Sequence, residues 1–276
     1  MTVMMKNSMV FVGALVTLGC ESGGGGGAEL SVRAWGEEYI EEGIPADVFN
    51  DGWTVQFDRF LINVGQIEVG EVEGAPAFEV PQFQVYDLAV ASNGEGQFLG
   101  KDEAPAGTYA DTQYRIYPAE GDSTAGNATS SDVKMMQDGG YSVFVAGSAT
   151  KNGVTKTFTW GFNTRTAYSH CQSQAVIEAD VPAAVQITIH GDHLFYDDLY
   201  SETPMVLFSL YAQADDDGDA DGVISREELE AVDLRSLPNY QVGSTDITDL
   251  WNFVEHLTTS LGHIDGEGHC MNVRES

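Results

Sequence analysis

From Leu30 to about Leu194, apolar and polar residues alternate at the period of a β-strand, in short runs separated by turn residues. Trp53, Val55 and Phe57 keep one phase, and Phe60, Ile62 and Val64 keep the other, so a bulge or bend is expected at Asp58-Arg59, where the phase changes. The pattern returns over residues 83–86, 114–117, 141–145, 158–162 and 185–189. Turn-rich spacers such as Asn93-Gly94-Glu95-Gly96 and Asp138-Gly139-Gly140 divide the runs. Short strands punctuated in this way predict a mainly β protein, with a β-sandwich body over residues 30–199. Residues 120–138 are polar and rich in Gly, Ser and Thr, and are expected to form a long surface loop.

After residue 200 the period changes. Thr203 as N-cap and Pro204 at the first helical position predict a helix to about Ala214, with Leu207, Leu210, Tyr211 and Ala214 on one face. A second helix is expected over residues 227–232, and a third from Thr245 or Asp246. In the third, Ile247, Leu250, Trp251, Val254, Leu257 and Leu261 form one apolar stripe that Gly262 ends. Residues 200–276 are therefore expected to form a small α-helical module.

Between the first two helices lies Asp217-Gly218-Asp219-Ala220-Asp221-Gly222-Val223-Ile224-Ser225-Arg226-Glu227-Glu228. Carboxylates stand at loop positions 1, 3, 5 and 12, glycine at 6 and an apolar residue at 8. The segment resembles the EF-hand family. The resemblance implies Ca²⁺ held by Asp217, Asp219, Asp221, the Val223 carbonyl, Ser225 and a bidentate Glu228, the hard oxygen set that this cation takes. In its absence the carboxylates repel one another, with only Arg226 nearby. The apolar face of the entering helix stops at Ala214, two residues early, so a distorted entrance is expected. The chain has no second such loop, which points to a structural calcium and not to a paired sensor.

Lys6, the apolar run from Met9 to Leu18 and then Gly19-Cys20 resemble a bacterial lipoprotein signal. That resemblance implies removal of residues 1–19, lipidation of Cys20 and a flexible tether over residues 20–29 containing Gly23 to Gly27. The membrane partner would then be reached through acylated Cys20, with Glu21 at the second position implying the outer membrane. The apolar run is shorter than the roughly eighteen residues that a membrane span needs. Lys and Arg number 12 against 43 Asp and Glu, a net charge of −31, which argues against nucleic acid as a partner because phosphate is repelled. The remaining cysteines, Cys171 and Cys270, form an even pair and are expected to be a disulfide in an oxidising compartment.

All six histidines lie beyond residue 169. His170 and His269 precede the two cysteines, His190-Gly191-Asp192-His193 follows a predicted strand, and His263 opens a Gly-rich loop. Imidazoles in such number suit copper or zinc, so His170, His190, His193, His263 and His269 are candidates for a second metal site that forms as imidazole loses its proton near pH 6.5. The alternative is that these histidines pack by hydrogen bonding. The run Ala104-Pro105-Ala106-Gly107-Thr108-Tyr109, after Val85-Tyr86-Asp87-Leu88, resembles methanobactin-associated periplasmic copper-binding proteins over about a third of the chain. No copper-ligand motif is carried with it.

Catalytic signatures are missing: the glycine spacing over residues 94–101 fits neither a dinucleotide nor a P-loop pattern, and no Gly-x-Ser-x-Gly is present. Asp197-Asp198 reads as a solvated or calcium-linked pair. The sequence therefore describes a non-enzymatic, membrane-anchored calcium-binding lipoprotein, surface or periplasmic, acting as a binding or scaffold module. A periplasmic copper- or zinc-binding protein is one alternative, and a metal-dependent hydrolase using His190, Asp192 and His193 is another.

Overall fold

The computed structural model describes residues 26–71, 74–173 and 175–275, so the signal segment and Cys20 lie outside the described residues. The chain is mainly β. Its first half supplies β1 (Gly27–Trp35), β2 (Thr54–Gly70), β3 (Pro76–Val80), β4 (Gln84–Asp87), β5 (Gln97–Pro105), β6 (Gly107–Tyr109), β7 (Asp111–Ile116) and β8 (Thr124–Ala125). Then come β9 (Val143–Lys151), β10 (Val154–Phe162), β11 (Thr166–Cys171), β12 (Ala175–Ile177) and β13 (Ala183–Ile189), and finally β14 (Val223–Ile224), β15 (Gly262–Ile264) and β16 (Met271–Arg274).

One sheet runs β15-β13-β1-β5, and a larger one runs β14-β10-β9-β2-β7-β11-β16, with β3 and β4 attached to β2 and β8 to β4. The phase change expected at Asp58-Arg59 is a register shift between Phe57 and Arg59 where β2 meets β9. That extra residue lets both Phe57 and Phe60 face the core, where their rings lie 5.2 Å apart. Within the small sheet β1 and β13 are parallel, a pairing that needs a long crossover and leaves no local trace in the sequence.

Five α-helices are described: α1 (Glu37–Glu41), α2 (Ser130–Gly139), α3 (Ser209–Asp217), α4 (Arg226–Ala231) and α5 (Leu250–Leu257). α2 corrects the expectation of a loop over residues 120–138. Thr129 and Asp132 form a reciprocal capping box, Val133 and Met136 bury one face, and Gly140 closes the helix at φ +62°. The helix expected from Thr203 begins instead at Ser209, because Val206 first pairs with Tyr196 as an isolated bridge and Asp51 accepts hydrogen bonds from the Phe208 and Ser209 amides. Asp249 caps α5, and Gly262, expected only to end that helix, opens β15.

Residues beyond 200 contribute a strand to each edge that the body leaves for them: β14 on β10, β15 on β13 and β16 on β11. Phe208, Tyr211, Leu250, Trp251 and Phe253 share the hydrophobic core with β2, β10 and β13. Rings of Phe158 and Trp160 stack 4.6 Å apart, Phe208 and Tyr211 lie at 5.4 Å, and Phe195 reaches both groups. Burying each such side chain contributes about 1.5–3 kcal/mol. This aromatic floor supports the two places where metal-ligating residues gather. Among the described residues no helix is long and apolar enough to cross a membrane.

Candidate metal centres

β13 ends at Ile189, and the chain turns through one short 3-10 helix, Gly191–Phe195, whose five residues are all buried. Leu194 and Phe195 are fixed in the core, which directs His190, Asp192 and His193 to a common side. Antiparallel pairing of β15 sets His263 opposite Thr188, two residues before His190. The imidazole rings of His190 and His263 lie 4.4 Å apart, those of His190 and His193 5.0 Å, and those of His193 and His263 5.3 Å. The loop after β15 folds back through two Ile264–Gly268 backbone bonds of 2.9 Å, and the Thr188 hydroxyl donates to the Gly266 carbonyl at 2.8 Å. Glu267 is thereby carried to the same place.

Ligand atoms of His190, Asp192 and His193 lie within 4.8 Å of one another, as do those of His190, His263 and Glu267. Donors bonded to one zinc or copper ion at about 2.0–2.2 Å lie roughly 3.4 Å apart in a tetrahedron, so binding one ion would draw these side chains closer together. His193 Nδ1 faces the Ser260 carbonyl at 2.8 Å, the bond that fixes this nitrogen as N–H and leaves Nε2 with its lone pair. Burial, with the neighbouring His190, pushes His193 down to about 3. Burial followed by the charges of the surrounding histidines does the same to His263, also to about 3. Both imidazoles are neutral and ready to ligate over the whole physiological range.

The acids respond in the opposite sense. Desolvation raises the carboxyls of Asp192 and Glu37, and His190 is the nearby charge that opposes it. Asp192 accepts a 3.0 Å bond from the Tyr196 hydroxyl through one oxygen, while its other oxygen and His263 Nδ1 meet no hydrogen-bond partner among the described residues. A buried polar atom left so costs about 1–3 kcal/mol, which a cation at the cluster would offset. His170 is exposed and lies 3.9 Å from Asp111, apart from both groups. His269, also exposed, has its ring 5.8 Å from that of His263. Cys171 and Cys270 are joined as a disulfide that holds the end of the His263–His269 loop onto β11.

The acidic loop lies at the other end of the aromatic floor. β14 pairs in parallel with β10 at Thr157 and Phe158, Ile224 is buried, and the Trp160 indole donates to the Ile224 carbonyl at 3.0 Å. Gly222 turns the loop at φ +87°. Asp219 and Asp221 converge with Asp215, not with Asp217, within 4.8 Å. Asp217 completes α3 and accepts a 2.9 Å bond from Gln213. Asp215 accepts the Gly222 amide at 3.0 Å with one oxygen, and its other oxygen is bonded by Lys156. Ser225 caps α4, and Glu228 accepts from the Ser225 amide at 2.9 Å and the Asp219 amide at 3.3 Å. Val223 is half exposed.

Neither Asp215 nor Lys156 was expected. The sequence did hold a signal for the first, because the apolar face of α3 ends at Ala214, immediately before it. Burial lowers the Lys156 ammonium, but hydrogen bonds to Asp215 and Asp216 outweigh that and raise it, so the lysine stays charged beside the loop. No family model matches the chain, and no curated protein or solved structure does.

Proposed function

We propose that this chain is an exported metal-binding protein: a β-sandwich body that takes one borderline cation, copper or zinc, at His190, His193 and His263, and carries one EF-hand-like calcium loop. The observation behind the first half is the meeting of buried His190 and His193 and partly buried His263 with Asp192 and Glu37, where neither acid has a Lys or Arg ion-pair partner among the described residues. Neutral imidazole and carboxylate are the donor set for these cations. Binding or carriage is favoured over turnover. Zinc titration of the full chain, followed by elemental analysis, should give one tightly held ion per chain. A chain that retains neither zinc nor copper after dialysis would remove this reading, and zinc-dependent hydrolysis would replace it with a metallohydrolase.

The second half rests on the convergence of Asp215, Asp219 and Asp221 and on Glu228 closing the loop against Asp219. At free Ca²⁺ one hundred times the dissociation constant, a native-only site adds about 2.7 kcal/mol to stability. The melting temperature should therefore rise with calcium, and Asp219→Ala together with Glu228→Ala should abolish the rise. An unchanged calcium response in that double variant would discard the loop as a site.

Anchorage through acylated Cys20 completes the proposal, supported by the resemblance of residues 1–20 to a lipoprotein signal. Cys20→Ser is expected to move the protein from the membrane fraction to the soluble one. Sedimentation with membranes after a salt wash would contradict it.

A further inference from the structure

β1 and β13 run parallel with Trp35 opposite Thr188, and just past the ends of both strands Glu37, opening α1, comes beside His190. Glu37 Oε2 lies 3.5 Å from His190 Nδ1, in a setting where both side chains are largely removed from solvent. The backbone reaches this position at a cost in freedom. Glu37 has φ +52°, a left-handed conformation in which a glutamate is uncommon. The residue before it is constrained too, since a side chain on Gly36 would meet Ile40 at 2.8 Å and Leu88 at 3.0 Å. Strain of this kind persists where the surroundings require one side chain in one place, and what stands there is an imidazole of the candidate metal centre.

The other ring nitrogen of His190 completes the picture: Nε2 faces the Gly266 carbonyl at 3.4 Å, on the side where His263 and Glu267 gather. That contact is a hydrogen bond only with the proton on Nε2, so the Gly266 carbonyl and the Glu37 carboxylate compete for the one proton of the neutral ring, and a carboxylate is the stronger acceptor. With the proton drawn to Nδ1, the Nε2 lone pair is left for a cation on the side of His263 and Glu267.

Resting on the copper or zinc reading, we infer that Glu37 is the positioning residue of this site: its carboxylate holds His190 with Nδ1 protonated, so that Nε2 is the metal donor. A carboxylate behind a ligating imidazole fixes the ring and makes it a better donor, and removing such a partner typically weakens metal binding 10- to 100-fold. Because the residue is kept at the expense of backbone comfort, its effects on binding and on folding separate in sign.

The test is zinc titration of the full chain beside its Glu37→Gln and Glu37→Gly variants, with the Cu(II) electron paramagnetic resonance spectrum and the melting temperature of each metal-free protein. Glu37→Gly should bind zinc 10- to 100-fold more weakly, with an altered copper spectrum, while its metal-free melting temperature is no lower than that of the parent. Glu37→Gln keeps the backbone and removes only the charge, so its affinity decides the matter if the glycine variant folds poorly. A loss of threefold or more supports the assignment, and a smaller loss overturns it. Failure of the parent chain to bind either metal would overturn the site itself, an outcome distinct from normal binding in both variants, which would overturn only the role of Glu37.

Discussion

His193→Ala or His263→Ala should lower zinc affinity by at least about 100-fold, and the parent site should load at pH 5.5 nearly as well as at 7.5. Solvated imidazoles, with their protons lost near pH 6.5, would load only at the higher pH. Here burial holds both groups at about 3, so protons compete poorly with a cation. The same shifts fix how the metal-free fold responds to acid. Between about 6.5 and 3 the unfolded chain takes up protons at these two positions and the folded chain does not, so stability is full above 6.5 and falls as pH drops toward 3. At roughly 1.4 kcal/mol per unit, the two together amount to several kcal/mol, discounted for the partly exposed His263. Asp192 and Glu37 act oppositely, because a raised carboxyl binds its proton more readily when folded and regains stability as pH falls. Theirs are the smaller shifts, so the histidines set the net direction. Urea unfolding of the metal-free protein at pH 7.5 and 4.5 measures it, and equal midpoints would contradict the burial of these rings.

Strand content was readable because half-buried strands leave a period of two, and even the bulge at Asp58 left its mark as a change of phase. α2 was missed for a physical reason. Only Val133 and Met136 of its short length are apolar core residues, and the composition of residues 120–138 resembles a loop, while the deciding signal was the Thr129–Asp132 capping box. Thr203-Pro204 was a valid helix start by local chemistry. Asp51 and Asn50, about 150 positions away, cap the chain differently, with Asn50 accepting the Val206 amide at 2.9 Å. Long-range hydrogen bonds of this kind override propensity without appearing in any local window.

The candidate metal ligands were legible by type but not by grouping. His190, His193 and His263 were candidates on their chemistry, whereas Glu37 is invisible in the sequence because only the parallel register of β1 with β13 brings it to His190. His170 was linked to the cluster through the expected disulfide. Proximity of Cys171 to Cys270 does not carry over to the residue before it: β11 shifts register between Tyr168 and Cys171, and His170, at φ +51° in that irregularity, turns outward toward Asp111. Asp217 took its role from motif spacing alone. The helix expected to end near Ala214 runs on to Asp217, and it is Asp215, just past the apolar face, whose carboxylate the buried Lys156 holds.

Replacing both cysteines, as Cys171→Ala with Cys270→Ala, should destabilise the fold by about 2–5 kcal/mol. The bond spans a sequence separation of 99 residues. Freeing a loop of that size in the unfolded chain costs up to about 4.7 kcal/mol in the chain-entropy account. Alanine is the apt probe because Cys171 is fully buried, where a serine hydroxyl would add its own desolvation cost. The loss has a local consequence as well. β16 is wholly exposed and holds to β11 by backbone pairing and one Ser169 hydroxyl bond, with Asn272 and Arg274 tied to Thr259 and Glu255, so without the covalent link its Met271 end, next to Cys270, should loosen first. The loop bearing His263, Glu267 and His269 ends at Cys270, and loosening that end should weaken zinc binding in the same variant that loses stability. Reduction of the parent protein should reproduce both changes. A double variant within about 1 kcal/mol of the parent in urea, with undiminished zinc affinity, would mean that β15 and its hydrogen bonds to Thr188 position the loop without help from the disulfide.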